Sequence, residues 1–178
     1  MSVIFGDGAG AVCLEGEENS DPVGVLASAL HADGKFAHSL MVEVGSSRLN
    51  PRISHKLIDE GRHWPVMDGK TIFKLAVQRL PEVVAEVLDK AELELGDIDL
   101  FIPHQANLRI NEGVQKRLGL PDDKVFNNIQ RYGNTTAATI PLAFDEALEM
   151  EIIGPGSTVC FVGLGAGVTW GAVIYRIP

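Results

Sequence analysis

The stretch "DLFIPHQANLRI", residues 99–110, changes character in its middle. Its first half contains an apolar run, Leu100–Pro103, which is typical of a buried strand. The run is followed at once by His104 and Gln105. A helix is predicted next, from Asn107 to Leu118, because a glycine and a proline then stop the helical pattern. A polar group therefore stands between a strand and a helix.

Strands and helices also alternate in the rest of the chain. A helix begins after Asp68, which can cap it, where apolar residues recur at steps of three and four. The later elements are a strand at Val125–Asn127, a helix with Ile140, Phe144 and Leu148 on one face, and strands at Thr158–Val162 and Val168–Arg176 joined by the loop 163–167, "GLGAG". This order predicts an α/β fold, with a mixed sheet whose faces are covered by helices.

Two polar side chains occupy equivalent places in this pattern. His104 and Asn134 each follow a strand and precede a helix. Ligands in α/β sheets bind at the carboxyl ends of strands, so the two side chains can converge on one pocket, with "GLGAG" as a further wall. Each can donate a hydrogen bond to an oxygen that gains negative charge. A purely structural role is the alternative, with His104 capping its helix and Asn134 stabilising a turn after Gly133.

The chain begins with two β-like runs, Val3–Phe5 and Ala9–Leu14, around a glycine-rich segment. Gly6, Gly8 and Gly10 can take positive φ, so we predict a tight β-hairpin here. "GDGAG" also resembles the phosphate loop of actin-like ATPases, but a single glycine-rich turn is weak evidence for phosphate binding.

Composition excludes several classes of function. Fifteen Lys and Arg against 24 Asp and Glu give a net charge of −9, which argues against nucleic acid as the main partner. No apolar run is long enough to span a bilayer, so no membrane role is predicted. Cys13 and Cys160 lie in apolar runs and are predicted to be buried thiols in a reducing compartment, the cytoplasm.

A metal site is also considered in the irregular stretch from His31 to Pro65. "HADGKFAH" brings together His31, Asp33 and His38. Their spacing matches no zinc pattern and no second cluster completes it, so no metal is predicted.

Several blocks together resemble one family. "PHQANLRI", "GNTTAATIPLAFDEAL" and "GAGVTWGAVIYR" resemble signature blocks of 3-oxoacyl-acyl-carrier-protein synthase III, and "FGDGAGAV", "HADG" and "MDGKTIFKLAV" fit the same family. The resemblance implies the thiolase fold, which has two similar α/β halves, and a chain about twice this length. Residues 1–22 then correspond to the last strands, a hairpin, of the N-terminal half, and residues 23–178 to the C-terminal half.

The resemblance implies a decarboxylating Claisen condensation of an acyl-CoA, acetyl-CoA first, with malonyl-acyl-carrier protein. His104 and Asn134 match the catalytic pair that stabilises the enolate, and the loop residues Ala166 and Gly167 lie where an oxyanion is bound. The family's nucleophilic cysteine belongs to the N-terminal half. Cys13 and Cys160 are poor substitutes, because an activated thiolate needs a helix N-terminus or a cation beside it. No cofactor is implied, since the coenzyme A thioester is a substrate.

The same resemblance implies the binding groups and partners. Coenzyme A or the acidic carrier protein would contact Lys74, Phe73, Asn107, Arg109, Lys116 and Arg117. A solvated helix face is the alternative for these basic residues. The implied partners are acyl carrier protein, acyl-CoA, and either a second copy or an N-terminal half. The alternative functions are a non-catalytic acyl or carrier-protein binding module of this fold, a starter-unit polyketide synthase, and an ATPase built on "GDGAG".

Overall fold

A computed structural model describes residues 3–16, 18 and 22–178. The strands are β1 (Gly24–Ala32), β2 (Leu40–Met41), β3 (Val66–Met67), β4 (Leu100–Pro103), β5 (Thr158–Gly165) and β6 (Thr169–Arg176). The helices are α1 (His55–Asp59), α2 (Gly69–Lys90), α3 (Leu108–Leu118), α4 (Ile129–Tyr132) and α5 (Thr139–Glu149), with 3-10 turns at Gly34–Ser39, Leu95–Asp97, Asp122–Lys124 and Thr136–Ala138. Among the described residues, no helix has the length and apolar character needed to cross a membrane.

The main sheet has the strand order β1-β6-β5-β4 and is mixed, as predicted. β1 and β5 run antiparallel to β6, whereas β4 runs parallel to β5. β2 and β3 form a separate small sheet within the long segment between β1 and α2.

The sheet separates two apolar clusters, one on each face. Helices α2 and α3 cover the first face, where Val84, Val87, Val114, Cys160 and Ile174 are fully buried. Helix α5 covers part of the second face and packs on Leu100, Ile102 and Val159 through Ala143 and Ala147. Burial on both faces explains why β4 is an unbroken apolar run.

The predicted N-terminal hairpin is wrong. Residues 3–16 contain no paired strands, and Phe5 instead forms a single parallel bridge with Asn134. None of Gly6, Gly8 and Gly10 has a positive φ. A Cβ on Gly6 would lie 2.0 Å from the Tyr132 carbonyl oxygen, and a Cβ on Gly10 would lie 2.4 Å from the Pro141 ring. These glycines therefore permit close approach to residues 132–141 and do not form a turn.

The strand predicted at Val125–Asn127 does not form, and only an isolated β-bridge is present there. Val125 forms an isolated parallel bridge with Phe101, and the Phe126 N–H donates to the Phe101 carbonyl at 3.0 Å. The segment follows the edge strand β4 only briefly because the chain turns into α4 two residues after Asn127.

The two cysteines differ, and the prediction that both are buried is wrong for Cys13. Cys160 lies in β5 with no exposed surface, and burial raises the pKa of its thiol to about 12. Cys13 is exposed in the irregular N-terminal segment, because the strand expected there does not form.

We expect the two thiols to react at different rates, since thiolate chemistry requires access and deprotonation. With a chromogenic disulfide reagent, Cys13 should be labelled in the native protein and Cys160 only after denaturation. In Cys13→Ser, native labelling should disappear. Rapid labelling of native Cys13→Ser would show that Cys160 is accessible and contradict the fold described here.

Candidate active site

His104 extends β4 by one residue and is held from two sides. Its backbone N–H donates to the Val162 carbonyl at 2.7 Å, which continues the pairing with β5. Its Cβ lies beside Gly163, where an added methyl group would be 3.3 Å away. The ring Nδ1 is 2.6 Å from the Thr139 hydroxyl at the start of α5. The cap of α3 is Asn107, whose Oδ1 accepts from the Arg109 N–H at 3.0 Å, so His104 does not cap that helix.

The His104 imidazole is half-buried, and burial lowers its pKa below the usual 6.5. The ring is therefore neutral at neutral pH, with one N–H donor and one unprotonated nitrogen. The N–H group of the neutral ring can donate a hydrogen bond to a developing oxyanion and stabilise it.

The lowered pKa predicts a pH-dependent stability. Between the folded pKa and 6.5 the unfolded chain binds more protons at His104 than the folded chain does. The free energy of unfolding should therefore fall as the pH is lowered through this window. Urea unfolding of wild type and His104→Gln across about pH 5 to 8 tests this, since the variant should lack this contribution. Equal pH dependence in both proteins would contradict it.

Asn134 lies in an irregular segment that the N-terminal residues hold in place. Its backbone N–H donates to the Ile4 carbonyl at 2.9 Å, and its carbonyl accepts from the Gly6 N–H at 3.1 Å. Gly133 has φ of +69°, and a Cβ there would lie 2.9 Å from the Ile4 oxygen. We call residues 3–10 the N-terminal strap.

The Asn134 side chain also stabilises the turn after Gly133, which is the structural role considered above as the alternative. Its Oδ1 accepts from the Thr136 N–H at 2.8 Å, which fixes the orientation of the amide. With the oxygen used in this way, the Nδ2 amide group remains as a pair of donors. The structural and the proposed catalytic roles of Asn134 are therefore compatible.

Gln105 joins the two segments that carry His104 and Asn134. Its side chain is completely buried, and Nε2 donates to the carbonyls of Pro103 and Phe126 at 2.7 and 3.2 Å. Its Oε1 accepts from the N–H groups of Asn128 and Ile129 at 3.1 and 3.3 Å. All four of these hydrogen bonds join the Gln105 amide to backbone groups. They therefore fix the end of β4 to the start of α4.

Glu146 of α5 provides a second attachment for the same segment. The Asn128 amide donates to Oε2 at 2.8 Å, and Arg131 forms an ion pair with Oε1. The segment that leads to Asn134 is thus held by Gln105, by Glu146 and by the N-terminal strap.

Residues 166–168 form the turn between β5 and β6, because β5 continues to Gly165 and includes the first three residues of the predicted loop 163–167. Ala166 and Gly167 are exposed at its tip, and Gly167 has φ of +133°, a conformation that favours glycine. The Ala166 carbonyl accepts from the Thr169 hydroxyl at 3.1 Å. The tip is accessible, and Gly163 at its base lies beside His104.

Two clefts lie near these groups. One of about 300 Å³ separates residues that follow His104 (106–108) from residues that precede Asn134 (Ile129, Gln130 and Gly133), with Val3 and Ile4 as a further wall. The other, of about 570 Å³, is lined by Gly163 and Gly165 together with Leu30 and Trp170. Neighbours of His104 and Asn134 line these clefts, whereas the two side chains themselves do not. Their convergence on one cavity stays a prediction.

The predicted binding residues lie on two helices that pack together. Phe73 and Lys74 are exposed on α2, and Phe73 lies beside Gly113 of α3. Arg109, Lys116 and Arg117 are exposed on α3. No ion pair between described side chains involves these basic residues. Asn107 caps α3 and also lines the smaller cleft.

The histidine-rich stretch has structural contacts in place of a metal cluster. His31 pairs with Glu86 at 2.6 Å and stacks on Trp170. Asp33 caps the 3-10 turn by accepting from the Lys35 N–H at 3.1 Å. In the part of the chain that the structure describes, no group of three metal-ligating side chains is found.

Comparison with known proteins identifies the family. The family model described as 3-oxoacyl-[acyl-carrier-protein (ACP)] synthase III C terminal matches residues 88–177. The chain belongs to the 3-oxoacyl-[acyl-carrier-protein] synthase III family. The beta-ketoacyl-[acyl-carrier-protein] synthase III of Chlorobium phaeobacteroides is 41% identical over 175 residues, which are 98% of this chain and 53% of that protein. The chain thus spans about half the length of the curated relatives that it matches.

Solved structures agree on the fold. The synthase III of Thermus thermophilus is 38% identical with a TM-score of 0.79, over 90% of this chain and 48% of that one. The priming beta-ketosynthase from the R1128 polyketide biosynthetic pathway is 31% identical with a TM-score of 0.74, over 87% of this chain and 45% of that one. The predicted thiolase-like α/β fold of a C-terminal half is confirmed.

Sequence reasoning missed two residues of the site. Gln105 is part of the quoted stretch, but nothing in its local pattern shows that its amide bonds to residues 126–129. Thr139 stands within the quoted block "GNTTAATIPLAFDEAL", and its contact with His104 depends on how α5 packs beside β4. Both contacts join segments far apart in the chain, which a local pattern cannot show.

Proposed function

We propose that this chain is the C-terminal catalytic half of a beta-ketoacyl-acyl-carrier-protein synthase III. The observation that carries the proposal is the similarity to such an enzyme over 98% of the chain. The reaction is the decarboxylating condensation of an acyl-CoA, acetyl-CoA in the first place, with malonyl-acyl-carrier protein. In this proposal, residues 1–22 belong to the preceding half and residues 23–178 form the C-terminal domain. The location is cytoplasmic.

The reaction divides between this half and one that supplies a cysteine. The cysteine sulfur takes the acyl group, and the proton released from the cysteine thiol passes to coenzyme A, which leaves as the thiol. Malonyl-carrier protein then loses carbon dioxide, and the electron pair of the broken C–C bond forms an enolate. His104 and Asn134 donate hydrogen bonds to the enolate oxygen. The enolate carbon attacks the acyl carbonyl, a backbone N–H near Ala166 or Gly167 binds the resulting oxyanion, and collapse expels the cysteine. No cofactor takes part.

The nucleophile must come from outside this chain. The high pKa of buried Cys160 keeps its thiol protonated, and Cys13 lies in residues 3–16, which contain no helix whose N-terminus could activate a thiolate. We place the carrier protein or the coenzyme A phosphates on Lys74, Arg109, Lys116 and Arg117, since exposed basic residues on a chain of net charge −9 suit an acidic partner. Phe73 and Asn107 lie beside them for the pantetheine arm.

The test is reconstitution with a separate N-terminal half. The chain is assayed alone, and then after co-expression with the part of the Chlorobium phaeobacteroides relative that precedes the matched region. Condensation of acetyl-CoA with malonyl-carrier protein is expected only for the pair, and His104→Ala should abolish it. Turnover by the chain alone would contradict the proposal. Carrier-protein binding without turnover by the pair would favour the non-catalytic module.

A starter-unit polyketide synthase remains the second candidate, because of the 31% identity to the R1128 priming ketosynthase. The same reconstituted pair distinguishes the two candidates. A preference for acetyl-CoA with a fatty-acid carrier protein supports the first, and a preference for a polyketide carrier protein supports the second.

We also propose that the chain pairs with an N-terminal half or a second copy through the face of the sheet next to α5. Helix α5 covers only the part of this face near β4 and β5. On the β1 and β6 side, Leu30 is 83% exposed and lies across Gly171, beside the larger cleft. Apolar surface of this kind favours association.

Accordingly, we expect the isolated chain to self-associate in sedimentation velocity. Leu30→Glu should shift it towards the monomer, because a charge on the face opposes burial. Ile53→Glu, at another exposed apolar residue, is the matched control and should change nothing. A wild-type chain that sediments as a monomer at all concentrations would contradict this proposal.

A further inference from the structure

In the hydrogen bond between His104 and Thr139, the groups around the Thr139 hydroxyl decide which partner donates. The Thr139 side chain is 2% exposed, and its Oγ1 lies 2.6 Å from His104 Nδ1. A threonine in a helix usually donates to a carbonyl of the preceding turn. Among the described residues the Thr139 hydroxyl makes no such bond, and the Thr135 carbonyl accepts from the Ala138 N–H at 3.2 Å. Among the described residues, Nδ1 is the one hydrogen-bond partner of the Thr139 hydroxyl.

A neutral imidazole offers two arrangements at this contact. If Nδ1 carried the proton, it would donate to Oγ1, and the hydroxyl hydrogen would be buried without an acceptor. If the hydroxyl donates to Nδ1 instead, both groups are satisfied, and the ring proton must reside on Nε2. The burial that lowers the His104 pKa keeps the ring in its neutral form, in which this choice exists.

We propose that Thr139 is the positioning residue that sets the tautomer of His104. Its hydroxyl donates to Nδ1, so that His104 presents an Nε2–H donor away from α5. Thr139 does not touch the reacting atoms and acts only through His104. This inference rests on the proposed function for its purpose, because the ring nitrogen that does not face Thr139 must carry the proton to donate to an enolate oxygen, whereas the tautomer itself is a property of the chain alone.

The tautomer can be measured on the isolated chain without any turnover. Long-range ¹H–¹⁵N correlation spectra of the imidazoles, recorded above the His104 titration, identify which ring nitrogen carries the proton. We expect His104 in the wild type and in Thr139→Ser to be protonated on Nε2. In Thr139→Val the hydroxyl is lost, so the Nδ1–H form should gain population.

A matched control comes from a second buried threonine. Thr158 is 3% exposed in β5 and its hydroxyl accepts from Arg176, away from His104. Thr158→Val should leave the His104 signals at their wild-type positions. An Nδ1–H tautomer in the wild type would overturn the inference, and so would an unchanged Nε2–H tautomer in Thr139→Val. If Thr139→Val fails to fold, the wild-type spectrum can still overturn the inference by showing the Nδ1–H tautomer.

Kinetics of the reconstituted pair separate this inference from the proposed function. Thr139→Val should lower kcat for condensation about a hundredfold and change KM little, because a catalytic donor is then misplaced. Thr139→Ser keeps the hydroxyl and should retain most of the activity. If the wild-type pair forms no product, the proposed function fails, while the spectra still decide the role of Thr139. If the wild-type pair is active and the Thr139→Val pair has the same kcat, the positioning role is overturned.

Discussion

Gln105→Met should lower the free energy of unfolding by about 3 to 5 kcal/mol, although methionine has nearly the same shape. The variant removes an amide that serves four backbone groups at a completely buried position. Buried N–H and carbonyl groups that lose their partner are costly, because water cannot replace it. The change is read from urea unfolding followed by circular dichroism.

Gln130→Met is the matched control for this variant. Gln130 is exposed and makes one hydrogen bond, to the Asn127 carbonyl at 3.1 Å. We expect a change within about 0.5 kcal/mol, as for surface sites in general. Equal stability of Gln105→Met and Gln130→Met would mean that Gln105 does not hold the two site segments together.

Gly6→Val should release the N-terminal strap from the Asn134 segment. The new side chain would lie 2.0 Å from the Tyr132 carbonyl oxygen, which is backbone and cannot rotate away. Overpacking of this kind costs about 1 to 3 kcal/mol, and release also breaks the two hydrogen bonds between the strap and Asn134. Amide hydrogen exchange at Asn134 should then be roughly 10 to 100 times faster.

Gly16→Val is the control for the strap, because a Cβ at Gly16 would have no neighbour within 4 Å. Exchange at Asn134 should be the same as in wild type for this variant. Unchanged protection of Asn134 in Gly6→Val would show that the strap does not hold it. In the reconstituted pair, Gly6→Val should also lower activity through the misplaced Asn134 amide.

Local signals in the sequence predicted the elements that carry the site. The strand Leu100–Pro103 was predicted to the residue, because a short apolar run with polar ends has few alternatives. The cap of α2 at Asp68 was also predicted, and its side chain accepts from the Thr71 N–H at 3.1 Å. The resemblance of the signature blocks then gave the family, which the comparisons confirm.

Errors arose where a residue acts on a segment far away in the chain. The glycines of the strap give the same local pattern whether they form a turn or allow close approach, and only the position of residues 132–141 decides between these uses. The prediction that Cys13 is buried fails for a similar reason. It assumes a strand that a partner strand covers, and the local sequence does not show whether such a partner is present. The hydrogen bonds of Gln105 and Thr139 likewise depend on tertiary packing.

We propose that His104 and Asn134 stabilise one enolate oxygen together. The most direct measurement is the rate of malonyl-thioester decarboxylation by the reconstituted pair, for wild type, His104→Ala, Asn134→Ala and the double variant. Each single variant should lose about 10²- to 10³-fold, and the double variant little more, because two donors to the same oxygen act as a unit. Single variants that decarboxylate at the wild-type rate, or losses that multiply in the double variant, would contradict the claim.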